Sequence, residues 1–327
     1  MTDPVTARFA QLISNMAVEN MPVAATEQIR WRVLGALATT LSAEINPGNT
    51  AITRTSASRG SQPTLPASGH IRNQPVLSAL ATGAMLDIRP PGTDAQTRFM
   101  TWDAAIISAA WAHVQACESS GHTFMSALAA GYLATGILAD LPDIERKSAW
   151  RAGAMSGTVG AAAAAARASG LPAGATLQAM AFAAAQAAQL AENAATMIQT
   201  GARDATGGVG QGPLDLPGPG RAAMDGMLSA RMAALGGHCS SALLDQLALA
   251  MGGVNPELAL SEAWAAVLPK RPCTRDQAIH GFRKQIASVI SEGEAETLIG
   301  LILRLEQTAP GELSTYMHER IGSGLDS

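Results

Sequence analysis

The sequence predicts an all-α protein. Three observations lead there. Ile29, Val33, Leu37 and Leu41 recur every fourth residue, which draws one apolar stripe along a helix. No segment of strand length alternates apolar and polar residues with Val, Ile and Tyr enrichment. Only 4% of residues are aromatic, which disfavours a sheet protein.

The elements follow in order. Thr26 is placed to cap the first striped helix, and Asn46-Pro47-Gly48-Asn49 ends it. Residues 50–74 are polar and rich in Gly, Pro and Ser, so they read as a loop. Helical patterns resume at about 75–86, 103–118, 122–140, 145–168, 173–195, 221–235, 240–252, 257–266, 275–291 and 294–307. Ser119-Ser120-Gly121 and Ser169-Gly170-Leu171-Pro172 punctuate helix pairs. Gly153, Ser156, Gly157 and Gly160 lead into an alanine run. Small residues at spacings of three and four flatten a helix face and let a neighbouring backbone approach, so this helix is expected at the centre of the assembly. Gly201–Gly220 is a long Gly/Pro loop, and loops of that length in a compact domain are usually functional or mobile. One all-α domain over 1–327 is the expected organisation, with the N- and C-terminal helices packing together.

Composition narrows the function. The 327 residues are 47% hydrophobic and 15% charged, below the usual charge level of roughly a quarter. Such a chain places most residues in a core or a subunit interface. Net charge is −4 and the 22 Lys and Arg residues are scattered, so nucleic acid is not expected as a partner. Cys117, Cys239 and Cys273 lie far apart, which argues against a disulfide framework and for a reducing compartment. The N-terminus has no apolar run of signal-peptide type. The charge-free run Ala168–Ala191 holds Pro172, two glycines and three glutamines, so it reads as a buried helix rather than a membrane span. A cytoplasmic protein is expected.

Several motifs fail their structural context. Gly208-x-Gly210-x-Gly212 has neither the preceding strand nor the following helix that phosphate cradling requires. His113 and Cys117 have metal-compatible helical spacing, and His238 adjoins Cys239, but HExxH and paired CxxC are absent. There is no G-x-S-x-G elbow. No metal or other cofactor is expected.

One segment stands apart. Asp87, Arg89, Asp94, Arg98 and Asp103 fall close together, around Pro90-Pro91, which forbids helix continuation. A solvated interhelical loop accounts for charges of this kind. A small polar pocket set in a wall of helices accounts for them as well.

The order of segments resembles the MmgE/PrpD family, which includes 2-methylcitrate dehydratase, cis-aconitate decarboxylase and iminodisuccinate epimerase. Glu27–Leu41 is similar to the family's first amphipathic helix. Ala81-Thr-Gly-Ala-Met-Leu-Asp-Ile-Arg89 resembles its Asn-Gly-Ala…Asp-Phe-Asp-Asp segment. Glu118–Tyr132, Gly157–Arg167, Pro219–Ala223 and Leu268–His280 are similar to later family blocks, in the same order. The resemblance implies the family's helical domain with little or no α+β lid, and a homodimer. It also implies proton transfer at a carbon next to a carboxylate or carbonyl, in dehydration, decarboxylation, isomerisation or cyclisation. Residue by residue, Asp87 matches the family's first Asp and His280 a late His, while Arg89 and Pro90 stand in acidic places. Thr101-Trp102 and Arg151-Ala152 replace two His-Pro pairs.

The expected site therefore has Asp87 as base, with Asp103 and His280 as further acid/base groups. Arg89, Arg98 and Arg151 are guanidiniums able to hold a carboxylate, beside Thr101 and Trp102. The rival expectation is a catalytically inactive dimeric binding or scaffold homologue.

Overall fold

The computed structural model describes residues 4–44, 74–86, 101–139, 149–199, 218–240, 242, 264, 268 and 272–317. Among the described residues eleven α-helices run in order: α1 Pro4–Ser14, α2 Val23–Glu44, α3 Pro75–Leu86, α4 Thr101–Ala116, α5 Gly121–Ala139, α6 Ala149–Ala168, α7 Ala173–Gln199, α8 Pro219–Ala234, α9 Arg275–Ile286, α10 Glu292–Leu303 and α11 Pro310–Tyr316. A 3₁₀ turn, Val18–Asn20, joins α1 to α2. Among the described residues there is no strand, so the fold is all-α.

The alanine-rich helix is the centre, as its small residues require. Every residue of α6 from Ser156 to Ala166 is buried, and α4, α5, α7 and α8 pack around it. A methyl group on Gly131 of α5 would lie 2.9 Å from the Gly160 carbonyl oxygen, and one on Gly226 of α8 would lie 2.7 Å from the Ala162 nitrogen. These backbones touch with no room for a side chain, so close packing replaces the bulk that larger residues would supply. Larger residues fill the outer core. Trp111 and Phe124 meet edge to face with centroids 5.2 Å apart, and the Trp111 indole N–H donates to Ser314 Oγ on α11.

The C-terminal helices return to the N-terminal ones. α9 and α10 pack on α2, and α11 on α4. The Gln28 side chain fixes the entry to α9: its Nε2 donates to the Cys273 carbonyl at 2.8 Å and its Oε1 accepts from the Cys273 N–H at 3.2 Å. Both α9 and α10 begin with reciprocal caps, Thr274 with Gln277 and Ser291 with Glu294.

The structure moves several boundaries. Thr26 is inside α2 rather than capping it: Pro22 supplies the first carbonyl, and Thr26 Oγ1 donates back to it at 3.3 Å. The pattern read as 275–291 stops at Ile286, because Ser291 caps a new helix that begins at Glu292. α1 and α11 were not expected, being short: α1 buries a stripe of Thr6, Phe9, Ala10 and Ile13, and α11 has seven residues. The expected helices at 240–252 and 257–266, and the Gly201–Gly220 loop up to residue 217, lie outside the described residues apart from positions 240, 242 and 264.

Candidate functional site

Helix direction decides which residues share an end of the bundle. α4 and α6 run parallel: Trp102 sits against Gly157 at one end, and His113 contacts Ser169 at the other. α5 runs opposite to α6, since Thr135 Oγ1 donates to the Ser156 carbonyl while Gly131 meets Gly160 and Ala164. α7 folds back along α6 and runs opposite to α8, as Gln186 reaches Ser229 and Gln178 reaches Cys239. The end of α3 meets the start of α8, with Gly83 and Gly220 in backbone contact at a spacing that excludes a methyl group. The end of α3, the starts of α4, α6 and α8, and the ends of α5 and α7 therefore share one end of the bundle.

Of the sequence-predicted residues, Thr101, Trp102, Asp103 and Arg151 stand at that end. Leu86 and Thr101 anchor the two sides of segment 87–100, which holds Asp87, Arg89 and Arg98; these three lie outside the described residues. Thr101 opens α4, and Arg151 stands in the first turns of α6. Trp102 is half-buried against the main core. Asp103, in the first turn of α4, is buried, and that position suits a carboxylate because helix N-termini favour negative charge.

Asp103 has a partner that sequence reasoning missed. Arg32 of α2 donates from one terminal guanidinium nitrogen to Asp103 Oδ1 at 2.7 Å, and the two side chains are only 15% and 4% exposed. The Arg32 guanidinium also stands 4.7 Å above the Tyr132 ring of α5, a cation–π distance. Three helices thus converge on one buried charge pair and one aromatic. Burial, and next the negative charge of Asp103, hold the Tyr132 phenol well above its ordinary value of 10.0; Arg32 acts in the opposite direction. Tyr132 stays a neutral proton donor at any physiological pH. Through its contact with Arg32, Asp103 pins the start of α4, and with it Thr101 and Trp102.

A second buried carboxylate stands at the same end. Asp225 of α8 is 1% exposed and accepts from Arg221 Nε on both oxygens, at 2.9 and 2.7 Å. Burial pushes its carboxyl up, and Arg221 pulls it part of the way back. Ser229 and Gln186 tie down the same turn: Ser229 Oγ donates to the Asp225 carbonyl at 2.7 Å, and Gln186 Nε2 donates to Ser229 Oγ at 2.6 Å. The pair is four residues apart on one helix, a local signal that was open to sequence reading.

His280 is different. It is exposed on α9, a helix that packs on α2 and α10. Among the described residues no group of three or more His, Cys, Asp or Glu side chains is placed to hold a metal. No described helix is long and apolar enough to cross a membrane.

A family model described as the MmgE/PrpD N-terminal domain matches residues 7–255, from α1 past α8. The match covers both buried charge pairs and segment 87–100, and it ends before α9 and His280. No curated protein matches the chain.

Proposed function

Because the chain belongs to the MmgE/PrpD family, a family known for dehydratase and other lyase-type activity, we propose that it is a lyase or isomerase acting by proton transfer at a carbon next to a carboxylate or carbonyl. The observation that supports this reading is the shared end of the bundle. Leu86 and Thr101, the described residues on either side of segment 87–100, stand there, and Asp103 and Asp225 are buried carboxylates with guanidinium partners.

In this reading Asp87 is the base. Arg89, Arg98 and Arg151 hold the substrate carboxylate, and Thr101 and Trp102 line the pocket. Asp103 positions the start of α4 through Arg32. Asp225 is a second acid/base candidate, since burial raises its proton affinity. His280 is proposed only in a supporting role, because it is exposed. The chemistry needs side chains alone, with no cofactor, in a cytoplasmic homodimer. Leu228 and Leu235, exposed seven residues apart at α8, support an apolar subunit contact.

Turnover of a panel of unsaturated di- and tricarboxylates and larger conjugated acids tests the reading. Asp87→Asn is expected to lower kcat on the order of a hundredfold to ten-thousandfold with the fold intact. Arg89→Ala and Arg151→Ala are expected to raise KM first. A wild-type rate in Asp87→Asn would remove Asp87 as the base, and a panel with no substrate would favour the inactive scaffold.

A further inference from the structure

We draw no further inference here: the strongest candidate, the buried side-chain cluster of Arg32, Asp103 and Tyr132 where α2, α4 and α5 converge, belongs to the site already described.

Discussion

The Arg32–Asp103 pair gives the sharpest stability prediction. Two unit charges 2.7 Å apart attract by about 6 kcal/mol at an effective dielectric constant near 20, a gross figure before desolvation. Desolvation offsets much of that gain, so the net worth of the pair against an apolar substitute is small. Breaking the pair is another matter. Asp103→Leu takes this carboxylate from a guanidinium that is 15% exposed, and Arg32→Met takes this guanidinium from a buried carboxylate. Each single change is expected to cost roughly 3–5 kcal/mol, Asp103→Leu nearer the lower figure because solvent reaches Arg32 in part. The double variant is expected within about 2 kcal/mol of wild type, so the two changes couple by at least roughly 3 kcal/mol. Urea melts of the four proteins measure this. Additive losses would refute the reasoning, because they would mean that the two side chains do not meet in solution.

Other predictions follow from the same geometry. The Tyr132 phenol is raised in the fold above its ordinary 10.0, so its contribution is fully present below pH 10 and is lost as pH rises from there toward the folded value; Tyr132→Phe is expected to flatten the fall in urea-melt stability above pH 10. Gly131→Ala is expected to cost about 1–3 kcal/mol, since its methyl would press on the Gly160 carbonyl, whereas Gly300→Ala in α10 meets open space and is expected to add roughly 0.5–1 kcal/mol; thermal melts separate the two. Ser291→Ala removes the cap from α10 and is expected to cost about 0.5–2 kcal/mol by the same melts.

What was legible in the sequence was what is local or compositional. The glycine and alanine spacing of α6 placed that helix at the centre, because only small residues permit the backbone contacts at Gly131, Gly160 and Gly226. Most helix limits were read to within a few residues, since Pro, Gly and Ser mark them. The Thr26 cap was misread because Pro22 supplies the same service without a side-chain signal. The charged segment was recognised, yet Arg32 was not. Its partner lies 71 residues away, and a long flexible side chain leaves no periodic trace of where its tip goes. Tyr132 was noticed only as part of a resemblance, and its coupling to Asp103 exists only once α5 has packed against α4. Arg221 and Asp225, four residues apart on one helix, were within reach of local reading.

The account's central claim is proton transfer at a carbon beside a carboxylate, with Asp87 as base. Hydrogen exchange in deuterated water tests it most directly, followed by NMR on whichever carboxylate of the panel is turned over. Deuterium is expected on the carbon next to the carboxylate, and Asp87→Asn is expected to slow its arrival on the order of a hundredfold to ten-thousandfold. Turnover with no deuterium at that carbon, or arrival at the wild-type rate in Asp87→Asn, would contradict the account.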